Sequence, residues 1–428
     1  MNAFATHFRT RRYHATAMRT GDPGLERRVD DVLTAWTGSQ RIVGAVVLVA
    51  RAGRLVDARA AGWADREAGV PAADHTIFRL ASSTKLIVSA AALALIERGQ
   101  LSLDDEADRW LPYFRPRLAN GRRPTITIRH LLTHTAGLSY AFLEPEDRRY
   151  QETGVAQGLA ASEGSLEEHL RRLASVPLFY APGTEWRYSL ATDVLGAVVA
   201  KAADMPLGDA LERWVTGPLG MSHTAFVAAD RDRLSAAYVD APTANADLAA
   251  GPDTAPCPRL VINSGAAGEA RRMNDDADVL PLGTGATVSP RRAIDRNADP
   301  SGGGGLVGTA ADYLRLLEAI RSGGRPLFSP RSAAALTSHC IGPLRAWTEG
   351  EGWGFGLGAA VLLDPITAGT PQGVGTWQWG GALGSHWFVD PTRELTVVVM
   401  TNTGLAGVIG PFPTALRDAI YAPDSARR

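Results

Sequence analysis

The chain has 428 residues, 45% hydrophobic and 21% charged, with 44 basic against 45 acidic side chains and a formal net charge of −1. That length buries a large core and allows two or three domains, while the balanced charge leaves no footprint for nucleic acid. Two cysteines, Cys257 and Cys340, are too few for a disulfide framework, and their spacing is not that of a metal site.

Residues 1–22 are Arg-rich (Arg9, Arg11, Arg12, Arg19) without the apolar core of a secretory signal. They read as a disordered arm; a weak targeting sequence, or a true start at Met18, are the alternatives. No apolar run approaches membrane-spanning length, so a cytoplasmic protein with neither membrane nor nucleic-acid partner is expected. Helical spacing follows from Gly24 to Trp36. Ile42–Ala50 and Leu55–Trp63 flank the turn Ala52-Gly53-Arg54 as a β-hairpin. After Ala81 the pattern becomes helical through Leu86, Ala90, Leu93 and Ile96, ending at Gly99. A short helix is expected around Thr127–His134.

Ser139–Gly164 reads as a long loop over a pocket. Helices are expected at Leu166–Ala174, Asp193–Lys201 and Leu207–Val215, and the stretch from Ala228 to Pro300 as an irregular surface segment. Ser301-Gly302-Gly303-Gly304-Gly305 leads into an amphipathic helix, Ala310–Ile320. Beyond Gly354 the character is β, at Gly356–Leu363, His386–Val389 and Leu395–Thr401, before a last helix, Phe412–Tyr421. Strands thus come from both ends of the chain and helices from its middle. This predicts an α/β (α+β) fold with an antiparallel sheet domain from residues 23–85 and 300–428, and an inserted, mainly helical domain over 86–299. The functional site is expected at their junction.

The chemistry concentrates in Ser82-Ser83-Thr84-Lys85. Residues three apart share a helix face, so the Lys85 ammonium can sit beside the Ser82 hydroxyl and help take its proton. A helix N-terminus at Ser82 would favour developing negative charge. A capping serine and a solvated lysine would look the same. Two further stretches add weight. Pro182-Gly183-Thr184-Glu185-Trp186-Arg187-Tyr188-Ser189-Leu190 presents a tyrosine from a turn. Trp377-Gln378-Trp379-Gly380-Gly381-Ala382 places paired glycines in a strand, where another backbone or a ligand comes close.

In this order, the three stretches resemble the serine β-lactamase and penicillin-binding-protein superfamily, with its S-x-x-K, tyrosine or serine, and K-T-G-like motifs. The likeness runs from about Leu25 to Tyr421 and includes His130–Leu138, Pro218–Met221 and Gly302–Asp312. Trp379 stands where that superfamily usually has a lysine, and Leu190 where it has the asparagine of Tyr-x-Asn. Trp-Gly-Gly after a Tyr-Ser motif is closest to the family VIII carboxylesterases. Both departures remove polar handles for a β-lactam, so neutral, apolar acyl groups are expected to fit better.

The resemblance implies a β-lactamase/transpeptidase-like fold and an acyl-enzyme on Ser82, with Lys85 and Tyr188 sharing the proton transfers. The oxyanion hole would be the backbone N–H groups of Ser82 and Ala382, and Trp379, Gly380, Gly381, Leu190 and His386 would line the substrate site. Lone strand histidines are more often packed than catalytic, so His386 is expected to line the pocket or tune water. His130 and His134 lie four apart, as metal ligands can, but lack a third ligand at suitable spacing; no metal or cofactor is expected. The first expected function is a carboxylesterase acting on a small-molecule ester. An acyltransferase on the same scaffold is the alternative, followed by a β-lactamase, a D-amino-acid amidase or peptidase, and an acylated sensor. The sequence leaves the oligomeric state open.

Overall fold

The computed structural model describes residues 11–12, 22–144, 146–161, 164–239, 268–282, 285–346 and 348–423. Of the N-terminal arm, residues 1–10 and 13–21 lie outside that set; Arg11–Arg12 form a two-residue edge strand. Among the described residues a nine-stranded antiparallel sheet carries the fold. Its order runs Arg11–Arg12, Arg54–Asp65, Gly44–Arg51, Leu395–Thr401, Ser385–Asp390, Trp377–Gly381, Ala360–Leu362, Trp353–Phe355, with Val70–Pro71 paired beside Arg54–Asp65. Chain ends therefore meet in the middle of the sheet, where Gly44–Arg51 pairs with Leu395–Thr401 over seven residue pairs.

Alternation decides the two faces. Ala45, Val47, Val49, Phe388, Val397 and Val399 point to one face, packed under the terminal helices Pro23–Gly38 and Pro411–Tyr421. Val46, Leu48, Trp387, Val398 and Met400 point to the other and join the main core. That core continues through the helix Ala310–Arg321 into the helices of the middle segment. At its centre lies the helix Thr84–Glu97, buried on every side from Thr84 to Leu95. An apolar surface all round is the mark of a helix inside a core. Its run of alanines lets the helix Ala191–Ala203 pack closely along it.

Several expectations shift in detail. Of the strand expected over Gly356–Leu363 only Ala360–Leu362 forms; residues 356–359 are a tight turn that joins it to the preceding strand Trp353–Phe355. Gly356 N–H donates to the Ala359 carbonyl (2.8 Å), and Gly358 takes φ +134°, which a side chain rarely adopts. A helix at Pro330–Thr337, capped by Ser329, went unread although its Ser-Pro start is a normal signal. The middle irregular stretch contributes the buried strand Tyr238–Val239, paired with Thr403–Gly404, as well as the small hairpin Asp278–Leu280/Ala286–Val288. Its residues 240–267, Cys257 among them, lie outside the described set. No described helix is long and apolar enough to cross a membrane.

One close contact joins the sheet to the turn that carries Ser82. A Cβ on Gly381 would stand 2.1 Å from the Leu80 carbonyl oxygen and 2.5 Å from Ser385 Oγ. Ser385 Oγ donates to that same carbonyl (2.9 Å) and lies 2.8 Å from Ser83 Oγ. Gly381→Ala is therefore expected to lower stability by about 2 kcal/mol, because backbone rather than a flexible side chain must move. Chemical denaturation checks it; an unchanged midpoint would mean that the turn yields freely.

Candidate active site

Ser82 lies in a single 3₁₀ turn, Ala81–Ser83, between the two-residue strand Phe78–Arg79 and the helix that begins at Thr84. The nucleophile candidate thus precedes the α-helix by two residues instead of opening it. Ala81 takes φ +43°, a left-handed conformation that costs a non-glycine residue about 1–2 kcal/mol. The surrounding contacts hold it there. Leu80 N–H donates to the Leu306 carbonyl (2.9 Å), and Tyr313 Oη donates to the Ser83 carbonyl (2.9 Å).

Lys85 is buried, with its Nζ 3.3 Å from Ser82 Oγ and 2.6 Å from the Gly303 carbonyl oxygen. The same ammonium sits 4.7 Å from the Tyr188 ring centre and 5.4 Å from that of Tyr140. A buried ammonium needs such partners, since an isolated charge in a dry interior is costly. The glycine run makes the Gly303 carbonyl available. A Cβ on Gly303 would be 2.3 Å from Asp193 Oδ2, and one on Gly302 2.6 Å from the Thr192 carbonyl oxygen. Asp193 Oδ1 accepts from Gly303 N–H (3.1 Å) and Ser301 Oγ (2.6 Å), fixing the loop.

Tyr188 approaches from the opposite side. Its hydroxyl is buried and has no hydrogen-bond partner among the described residues. The ring is held by Tyr140 and His134 (both 5.1 Å between centres) and by Trp379 (5.2 Å). Burial, and then the nearby Tyr188 and Asp193, push the Tyr140 phenol well above its usual range. Burial and the Lys85 charge push His134 well below its own, so it stays neutral while bonding Ser189 Oγ (3.1 Å). His130 accepts from Thr127 N–H (3.2 Å) in a capping box at the helix Ile128–Leu132. Both histidines are thus engaged in packing and capping.

The strand Trp377–Gly381 forms the far wall. Its outer neighbour reaches only Trp377 and Gln378, leaving Trp379–Gly381 as an open edge. Ala382 follows; its carbonyl accepts from Leu405 N–H (3.0 Å), while its own N–H has no partner among the described residues. Ser82, Tyr188, Trp379, Gly380, Ala382 and His386 all line one cleft. Gly381 packs against Leu80 just behind it. Leu190 is not on its wall; it is buried beside a smaller cavity with Asp193 and His169. His386 faces the cleft with Nδ1 unpaired, and burial, aided by Arg417, lowers its pKa to about 4.

The 139–164 segment does stand over the pocket: Tyr140, Phe142, Leu143, Gln157 and Leu159 line it. It is less irregular than a plain loop, with short helical turns at Ala141–Leu143 and Arg149–Glu152. Of the tryptophans grouped near the motifs, Trp186, Trp353, Trp377 and Trp387 belong to the core, and Trp347 lies outside the described residues. Trp379, 8% exposed, is the one of the five described that reaches the cleft. Sequence reasoning missed Thr348 and Glu349 on the cleft wall, and the brace from Asp193 to Gly303. The brace had a signal in the glycine run; Glu349, between turns without periodicity, had none.

Comparison with known proteins identifies the family and the fold. Esterase EstB of Burkholderia gladioli is 46% identical over 410 residues, 95% of this chain and 98% of its own. The solved structure of EstCE1, described as a hydrolase with promiscuous acyltransferase activity, superposes with a TM-score of 0.85 at 42% identity, covering 94% of this chain and 99% of that one. Unliganded simvastatin synthase from Aspergillus terreus shares the fold at a TM-score of 0.69 and 22% identity, over 93% and 98% of the two chains. The beta-lactamase family profile matches residues 25–413, and the chain belongs to that family.

Proposed function

We propose that this protein is a serine carboxylesterase of the family VIII type, hydrolysing small carboxylic esters through an acyl-enzyme on Ser82. The observation that carries the reading is Lys85 Nζ within 3.3 Å of Ser82 Oγ and 4.7 Å from the Tyr188 ring centre, with Ser82 and Tyr188 both lining one cleft. The names of EstB and EstCE1 support the same class of reaction. A cytoplasmic location is proposed on the two cysteines and balanced charge alone.

In this mechanism Ser82 Oγ attacks the ester carbonyl, and its proton passes to the Lys85–Tyr188 pair in the form one proton short of ammonium plus phenol, that is, to a free amine or a phenolate. The carbonyl oxygen takes up negative charge toward the Ser82 and Ala382 N–H groups. As the C–O bond breaks, the pair returns the proton to the leaving alkoxide. Water then adds to the acyl-enzyme, gives up its proton the same way, and releases the acid and free Ser82. His386, neutral above about pH 4, serves as cleft wall and stays outside the proton path.

An acyltransferase reading uses the same first half-reaction and replaces water with an alcohol. The description of EstCE1 favours keeping it as the second reading. A β-lactamase reading is disfavoured because Trp379, with its ring against Tyr188 and Phe355, occupies the place of a carboxylate-binding cation.

Steady-state rates on a short-chain nitrophenyl ester and on a chromogenic cephalosporin test the assignment. Ester turnover is expected, with Ser82→Ala lower by ~10³-fold or more and little cephalosporin hydrolysis. Ester activity that survives Ser82→Ala would sink the mechanism. Added alcohol that diverts most of the acyl group into a new ester would move the assignment to acyl transfer. Tyr188→Phe is expected to reduce kcat by about 10²–10⁴-fold, with a smaller change in KM, because the lost hydroxyl acts on protons in flight. A wild-type kcat in that variant would leave Lys85 as the sole base.

A further inference from the structure

The cleft has an electrostatic asymmetry that the hydrolytic reading does not use. Glu349 lines it together with Thr348 and Gln378. Lys85 stands behind Ser82, outside the cleft wall, and His386 is neutral at ordinary pH. Glu349 is therefore the one described wall residue that carries a formal charge near neutrality.

Its carboxylate is held in place. Gln378 Nε2 donates to Glu349 Oε2 (2.6 Å). The Gln378 carbonyl oxygen in turn accepts from Gln372 Nε2 (3.1 Å), and Gln372 Oε1 accepts from Thr370 Oγ1 (2.8 Å). This chain of amides points a donor at Glu349 and brings it no cation. Among the described residues Glu349 has this hydrogen bond and no ion pair. Burial raises its pKa to about 6, so the carboxylate forms only above that pH. Beside it the Thr348 hydroxyl is buried without any hydrogen-bond partner. A confined carboxylate with one neutral donor, next to an unsatisfied hydroxyl, is a site waiting for a cationic or donor-rich group. Trp379 and Phe142, on the same cleft, add aromatic faces of the kind that favour quaternary ammonium ions.

We propose that Glu349, with Thr348 and Gln378, forms a subsite for a cationic group carried on the ester, such as the ammonium of an amino-alcohol or amino-acyl part. This rests on the carboxylesterase reading for the reaction, but not for the binding. The subsite inverts the charge preference of a cleft with a lysine in place of Trp379: it draws cations in and repels carboxylates. The bland alternative is a structural tie, in which the Glu349–Gln378 bond only anchors the turn at 348–351 to the strand.

Binding of choline and its neutral isostere 3,3-dimethylbutan-1-ol decides between them, followed by tryptophan fluorescence or calorimetry at low salt. At pH 7.5 choline is expected to bind about ten-fold more tightly than the isostere. That advantage should fall away as the pH drops through about 6, since protonation removes the carboxylate charge and neither ligand titrates. Glu349→Gln should abolish it at every pH. Equal affinities for the wild-type protein at pH 7.5, or an advantage that is pH-independent or survives Glu349→Gln, would overturn the proposal. The pH series on the wild-type protein needs no variant, so a Glu349→Gln protein that fails to fold leaves the test standing. A structural tie alone would weaken both ligands together and leave their ratio at one. Hydrolysis of 3,3-dimethylbutyl butyrate reports separately on the esterase reading: its absence would remove that reading and leave the binding result intact. A choline ester cleaved faster than this isostere would place the cation in the alcohol part. Tight choline binding without faster cleavage would place it in the acyl part.

Discussion

The site is organised around a buried ammonium. Lys85 lies inside the core, on a helix without a solvent-facing side over its first three turns. Such a charge is tolerable only if its donors are met and its field is answered. The Gly303 carbonyl, the Ser82 hydroxyl and the faces of Tyr188 and Tyr140 supply those partners. Each of them requires further structure. The carbonyl needs a chain stretch with almost no side chains, braced by Asp193. Tyr188 needs His134 and Trp379 to hold its ring. The Ser82 turn needs the Leu80–Gly381–Ser385 clamp to hold a left-handed alanine. Remove the ammonium and most of these contacts lose their purpose.

How much of this was legible in the chain follows from range. Local patterns gave the hairpin, because a β-branched run and a second extended stretch flank a glycine turn, and the Thr84–Glu97 helix, because its apolar spacing is dense and its end carries a glycine. Ser82, Lys85 and Tyr188 could be picked out because their motifs are short and specific. The long-range features were harder. The glycine run was visible, but nothing local said that it threads between Thr192, Asp193 and Leu159. Leu190 was expected on the substrate wall from its motif position; the start of the Ala191 helix turns it into the core, toward the smaller cavity. Glu349 became visible only once the turn holding it was placed beside Gln378, 29 residues further along.

Trp379 shows how one substitution changes the character of a conserved-looking cavity. An indole contributes area and a polarised face where a lysine would contribute a fixed charge. Here the ring is wedged between Tyr188 and Phe355, so it also stiffens the wall that holds Tyr188. On the proposed reading, the third motif contributes shape and aromatic contact in place of a point charge. The neutral His386 adds no opposing cation, and the remaining wall of Leu143, Leu159, Leu405 and Val408 is apolar.

The fate of the acyl-enzyme then depends on what reaches it, not on the reacting groups. Under the proposed mechanism Lys85 and Tyr188 serve whichever hydroxyl stands at the acyl carbon, and a water and an alcohol present the same O–H to them. What separates hydrolysis from transfer is residence: an alcohol that gains apolar contact stays, and water, at far higher concentration, does not need to. The Tyr140–Leu159 wall is the part of the cleft able to provide that contact, because it faces Trp379 across the site and is built from Tyr140, Phe142, Leu143 and Leu159. Tyr140 is tied to the Lys85 ammonium, so this wall is anchored at one end to the catalytic pair. Leu159 packs against Gly304, beside the Gly303 carbonyl that meets Lys85, and Phe142 stacks on Tyr140 (4.9 Å between ring centres), so a change at either also reaches Lys85.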